Sequence, residues 1–242
     1  MPELRIGCSG FNYRHWRDIF YPHGIAQKKW FEYYCTVFDT VELNVTFYRL
    51  PLAGTFTKWR NETPADFAFS IKGSRFITHL KRLLEPEGPL DLFFDRASNL
   101  QRKLKVVLWQ LPPDFKIEIR RLENFLRLLQ KYPVKNTFEF RHESWMSNEI
   151  FHLFKEYGVS LCMADWPEFI NDLPVTSDIV YIRRHGAGGN YATNYSKAEL
   201  KKDAERIANY LKQEKDVFIY FNNDAFGYAP KNAKELMELY KS

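Results

Sequence analysis

Cysteine is scarce in this chain: three in 242 residues, at Cys8, Cys35 and Cys162. An odd set, far apart in sequence, argues against a disulfide framework and suits a reducing cytosol. There is no CxxC pair or Cys/His cluster, so nothing suggests structural zinc. No apolar run reaches the ~18 residues a membrane helix needs, and Met1 to Ile6 lead straight into a strand without a signal-peptide core. A soluble, cytoplasmic protein with no membrane partner is expected. HExxH, HxH, Walker A and GxSxG spacings are all missing, which removes the common zincin, nucleotide-loop and serine-hydrolase readings. No linker, low-complexity tract or block of like charges interrupts residues 1–242, so one domain is expected.

What is present is modestly basic and aromatic, with a net charge of +5 and 17% Phe, Trp and Tyr. The charge fits either a lysine-rich soluble surface or attraction of an anionic partner. Eight short apolar runs recur about every thirty residues, at 4–8, 40–44, 67–72, 105–111, 136–141, 160–165, 179–185 and 217–222. Amphipathic helical patterns separate most of them, such as 27–38, 120–130, 149–157, 197–211 and 231–240. Ser147 and Gly158 read as cap and stop, and Ser196 with Glu199 as a capping box. The segment 50–63 is weaker, 80–100 combines a loop with a helix, and 167–176 is too short and proline-marked for a full helix. The repeat predicts an α/β fold, a (β/α)8 TIM-type barrel with an irregular sixth βα unit.

Each run ends on polar residues, although a buried parallel strand should stay apolar. Residues two apart share a face. Glu42 with Asn44, Glu139 with Arg141, Arg183 with His185, and Asn222 with Asp224 therefore form pairs in one phase, and Lys72, Gln110 and Asp165 add one each. In a barrel these ends meet at the face where active sites are found. Either they close the top as an ion-pair network or they bind a ligand, and so many convergent groups favour the ligand. The loop after the seventh strand carries Gly186, Gly188 and Gly189 and suits an anion nest or a mobile lid. Tyr191 breaks a GxGxxG reading. Ser9 is expected to donate to a ligand or cap a loop. Most loop aromatics (Tyr13, Tyr48, Trp145, Trp166 and Tyr195 among them) read as plugs; Trp16 and Tyr191 are preferred as ligand-stacking exceptions.

For chemistry, Glu42 and Glu139 are the expected proton movers, supported by Asp165 and His185, with Lys72, Arg141 and Arg183 neutralising an anion. Gln110 stands where retaining-glycosidase barrels usually carry a carboxylate, which argues against that class. No cofactor is expected. A divalent metal is the weaker competing reading: Glu42, His79, Glu139, His142, Asp165, His185 and Asp224 could furnish ligands, but against three fixed cations. A Schiff-base role for Lys72 requires desolvation, and a strand-end lysine is more often an ion-pair partner.

The motifs together resemble the DUF72 (YecE-like) family from end to end. They are Ile6-Gly7-Cys8-Ser9-Gly10, Trp16, Phe20-Tyr21-Pro22, Phe38-Asp39-Thr40-Val41-Glu42-Leu43-Asn44 and Thr46-Phe47-Tyr48. Further on come Lys72, Arg75, Thr78-His79, Gln110-Leu111-Pro112-Pro113, Phe138-Glu139-Phe140-Arg141-His142, Trp145, Asp165, Arg183, His185-Gly186 and Phe221-Asn222-Asn223-Asp224. The resemblance implies a TIM-type barrel. Through likeness in shape to metal-dependent endonuclease IV barrels, it also implies nucleic-acid binding as an expectation. Cys8, Phe11, Val45 and Arg184 depart from the family's usual residues, and Arg184 adds a charge that needs a partner. The leading reading is an enzyme (hydrolase, lyase or isomerase) acting on a small anionic or phosphorylated substrate. A nucleic-acid-binding protein or nuclease, and a non-catalytic metabolite-binding protein, are the alternatives.

Overall fold

Alternating polar and apolar side chains on eight strands can all be satisfied if the sheet closes on itself, leaving no edge. The computed structural model describes residues 1–165 and 173–240. It contains a closed parallel barrel in sequential strand order. The strands are β1 (Leu4–Ser9), β2 (Thr40–Leu43), β3 (Ala68–Lys72), β4 (Leu104–Gln110), β5 (Lys135–Glu139), β6 (Ser160–Ala164), β7 (Ile179–Arg184) and β8 (Asp216–Phe221). Each lies within two residues of its sequence-based bounds. The fold is the expected (β/α)8 barrel.

Helices α1 (Trp30–Val37), α2 (Val45–Tyr48), α3 (Ala53–Asn61), α4 (Glu87–Ala97), α5 (Ile119–Leu129), α6 (Asn148–Tyr157), α7 (Lys197–Lys212) and α8 (Tyr228–Glu238) follow the strands. Ser147 accepts from the Ile150 N–H, and Gly158 ends α6 with φ 62°. Ser196 and Glu199 form the reciprocal capping box of α7. The last helix starts three residues earlier than its pattern suggests, so Pro230 falls inside its first turn, where it forfeits no intrahelical hydrogen bond. Between β6 and β7, residues 173–178 carry no helix. The remainder of the irregular sixth unit, including Trp166, lies outside the described residues.

Two apolar clusters hold the barrel. The larger lies between strands and helices and contains Trp30, Phe69, Trp109, Phe125 and Phe138. The smaller fills the barrel interior with Val106, Leu108, Cys162, Ala164, Ile179, Tyr181, Phe218 and Tyr220. The interior is packed, and its two tyrosines send hydroxyls to polar partners. Tyr220 meets Thr40 Oγ1 at 2.7 Å and Ser70 Oγ at 2.9 Å. This packing leaves little slack around β1: a Cβ on Gly7 would stand 2.6 Å from the Thr40 carbonyl oxygen.

Candidate functional site

Because β2, β5 and β7 put alternate residues inside the barrel, Glu42, Glu139 and Arg183 converge just above Tyr181. Arg183 is 1% exposed and bridges both carboxylates. Its Nη2 and Nε donate to Glu42 Oε1 at 2.8 and 3.2 Å, and its Nη1 donates to Glu139 Oε2 at 2.6 Å. Glu42 also accepts from Ser9 Oγ (2.5 Å) and from Tyr181 OH (2.6 Å). Arg141 Nη2 closes on Glu139 Oε1. His185, fully buried, sits 3.2 Å from Arg141 Nη2 and 3.4 Å from Glu139 Oε1 through Nε2. Its Nδ1 faces the Asn222 amide at 3.0 Å.

These contacts set the protonation states. Burial alone would raise the Glu42 carboxyl, but Arg183 and the hydroxyls of Ser9 and Tyr181 hold it below its ordinary value. Burial likewise opposes ionisation of Glu139, yet Arg141 and Arg183 hold it well below the usual range. His185 is pushed down by burial and by Arg183, so it is neutral near pH 7. A carboxylate saturated by a guanidinium and two hydroxyls is a poor proton acceptor.

Lys72 is different. It ends β3, is partly exposed, and forms no ion pair among the described residues. Its ammonium lies 4.2 Å from the centre of the Phe47 ring. Phe47 is carried by α2, which Thr46 ties to β3 by donating to the Lys72 carbonyl at 2.5 Å. The strand-end lysine is therefore not the ion-pair partner its position suggests. Burial pushes it down to about 8, Arg183 adding to the depression while Glu139 and Glu42 oppose it. His79 stands edge-on to the same Phe47 ring at 4.9 Å, and burial with Lys72 nearby brings it down to about 4.

The other sequence-predicted residues divide. Gln110 pairs in register with Glu139 and is partly exposed beside it. Asn44 keeps a buried Oδ1 that accepts no hydrogen bond among the described residues. Tyr191, 39% exposed, stands edge-on to His185 at 5.4 Å. The glycine loop spends two of its amides internally: Gly186 N–H donates to Tyr195 OH (2.6 Å) and Gly189 N–H to the Gly186 carbonyl (2.7 Å). Gly188, with φ 63°, has open space at its Cβ position.

Three residues lie apart from the ring. Asp165 turns away from the barrel axis, where its Oδ1 accepts from the His185 backbone N–H at 2.6 Å and its Oδ2 from Tyr195 OH. It thus positions the strand end that carries His185. Asp224 leaves the Asn222 phase and pairs with His15 at 3.4 Å. Trp16 is fully buried among Tyr13, Phe20 and Tyr21, with no face left for a ligand. Sequence patterning did not single out Tyr181, though it shares the face of Arg183 and His185 at the same two-residue step. Nor did it find the partners of Arg184: Asp203 on α7 at 2.7 Å and Asp165 at 3.5 Å, beneath the Tyr195 ring. Asp165→Ala is expected to cost about 1–3 kcal/mol in chemical denaturation, by orphaning the His185 N–H and Tyr195 hydroxyl. Asp165→Asn, which keeps an acceptor, should cost less.

Among the described residues, no three His, Cys, Asp or Glu side chains gather into a group fit to hold a metal ion. No described helix is long and apolar enough to cross a membrane.

The family described as "Protein of unknown function DUF72" matches residues 5–242. The UPF0759 protein YunF of Bacillus subtilis (strain 168) is 29% identical over 98% of this chain and 94% of its own length. A crystal structure of a DUF72 family protein from Thermotoga maritima, 28% identical, superposes with a TM-score of 0.88 over 99% of this chain and 100% of the other. A D-psicose 3-epimerase from Clostridium cellulolyticum, only 8% identical and covering 98% of both chains, shares the fold with a TM-score of 0.60. The matched region spans all eight strands and every residue of the ring: the chain belongs to the DUF72 family.

Proposed function

We propose that this protein is an enzyme acting on a small anionic substrate, phosphorylated compounds included, at the carboxyl ends of the barrel strands. One observation carries the reading: the charges of the ring do not cancel. Glu42 and Glu139 match Arg141 and Arg183, His185 is neutral, and Lys72 remains, among the described residues, as an unmatched cation at the partly exposed edge. A fixed positive charge with low-dielectric walls attracts an anion more strongly than it would in water. In this reading the two glutamates hold Arg183 and Arg141 in place, and Lys72 both binds the anion and moves a proton. A group titrating near 8 suits proton transfer at neutral pH. Tyr191, partly exposed and edge-on to His185, stands at the same end of the barrel.

Thermal shift with inorganic phosphate and with sugar phosphates tests this. Phosphate at one hundred times its dissociation constant should add ~2.7 kcal/mol, or roughly 5–11 °C in a chain of this size. The shift should vanish in Lys72→Met and fade as pH rises through about 8, because only the ammonium is charged. Stabilisation by oligonucleotides alone, with steep salt dependence, would favour the nucleic-acid reading. A phosphate shift unchanged in Lys72→Met would remove the role assigned to that residue.

A further inference from the structure

We propose that Lys72 is a carbonyl-capturing amine, so that the substrates of this site are small anionic aldehydes or ketones, oxo acids or phosphorylated sugars alike. This rests on the anion-binding reading above and deepens it.

Lysines at the ends of buried strands normally sit against a carboxylate, which ties the ammonium in its charged form. Both nearby carboxylates are committed elsewhere, Glu42 to Arg183, Ser9 and Tyr181, and Glu139 to Arg183 and Arg141. Among the described residues Lys72 is left with the face of Phe47, a weak partner that does not compete for the nitrogen lone pair. The residue is also partly exposed, whereas Arg183, Arg141, Glu139 and Glu42 are buried.

Its surroundings keep it partly neutral. Burial and Arg183 lower it to about 8 against the opposing Glu139 and Glu42, with Arg141 and His79 also facing it. At pH 7.5 about a quarter of the amine would be uncharged, against ~0.1% of an ordinary surface lysine. It is the uncharged amine that attacks a carbonyl, so the depressed lysine is the better placed to react.

The step balances without an added oxidant or reductant. The Nζ lone pair attacks the carbonyl carbon, forming a C–N bond while the C=O π pair moves to oxygen. A proton passes from nitrogen to that oxygen, giving the carbinolamine. The hydroxyl then leaves with one further proton as water, and the nitrogen lone pair closes the C=N bond. Protonated, the imine keeps the positive charge that holds the anionic end of the substrate, and it acidifies the adjacent C–H bond. Such chemistry belongs to lyases and isomerases, and so narrows the three reaction types to two.

The experiment traps the adduct. The full chain at pH 7.5 is incubated with dihydroxyacetone phosphate, glyoxylate or acetone, treated with sodium borohydride, and mapped by peptide mass spectrometry. We expect Lys72 to carry the reduced adduct at least tenfold above any other lysine. It should form with one or both anionic carbonyls but not with acetone, and excess inorganic phosphate should suppress it. The stronger of the two anionic arms distinguishes an oxo-acid site from a sugar-phosphate site. Labelling should rise with pH through about 8, opposite in sign to phosphate binding, because capture needs the neutral amine. Lys72→Arg should keep its melting curve, retain phosphate stabilisation and lose the adduct. Labelling spread evenly over surface lysines, or equal labelling by acetone, would overturn the proposal. If Lys72 stays unlabelled while phosphate still stabilises the protein, the imine falls and the anion site stands; if both are absent, both fall.

Discussion

An Arg183→Ala variant is expected to lose roughly 3–5 kcal/mol of stability, the usual cost of stripping a buried charge pair of one partner. In a chain of this length that is a drop of about 6–20 °C in melting temperature. Arg183, 1% exposed, donates to both Glu42 and Glu139, so its removal leaves Glu42 with no cation and only the Ser9 and Tyr181 hydroxyls, while Glu139 keeps Arg141. The sign of the pH dependence makes the test sharp. In the parent, both carboxyls are held below their unfolded values, so their contribution is full above about pH 4.3 and is lost only as pH falls through the folded values. In the variant, burial without Arg183 raises Glu42, whose only cation is gone, and protonation relieves its charge, while Arg141 still holds Glu139 down. Stability should therefore increase from pH 8 to pH 5 in Arg183→Ala while the parent stays flat. Adding Glu42→Gln to Arg183→Ala should recover part of the loss. Parallel pH profiles with a loss under about 1 kcal/mol would mean the carboxylates are screened by water.

Trp16→Ala is expected to destabilise by about 3–5 kcal/mol, the range for emptying a buried aromatic site. The ring is fully buried between Tyr13 and Phe20, at centroid distances of 4.9 and 5.6 Å. Its carbonyl also accepts from the Phe20 and Tyr21 amides at 2.9 and 3.0 Å. Trp16→Phe, which refills most of the space, should recover most of that stability and leave phosphate stabilisation unchanged. A Trp16→Phe variant that folds normally but loses phosphate binding would restore the ligand-stacking role that its place after β1 suggested. Denaturant unfolding paired with the phosphate thermal shift separates the two roles.

Burial explains why the sequence read some residues correctly and others not. Strand positions were legible because eight apolar runs at about thirty-residue spacing leave few ways to pair, and parallel pairing needs a crossover between each. The inward set at the mouth was legible from the two-residue period alone: Glu42, Glu139, Arg183, His185 and Asn222 all meet. That period holds only while the chain is extended. Asp165 takes the outward face by the alternation itself, because Cys162 and Ala164 are the inward residues of β6, and Asp224 lies three residues past the end of β8, where it turns to His15. Trp16 lies in a loop, where no period predicts a direction.

The sequence by itself determined the strand order, the barrel and the face on which charge gathers, because side-chain alternation and crossover length are local properties. Tertiary structure alone decided which charges are spent. Glu42, Glu139 and Arg183 look like chemistry in sequence, yet their mutual distances turn them into a matched frame. Lys72 looks like a frame residue, yet among the described residues it has no carboxylate partner, because Arg183 and Arg141 reach Glu42 and Glu139 first. Electrostatic interaction depends on separation and burial in space, and neither quantity is written in residue order.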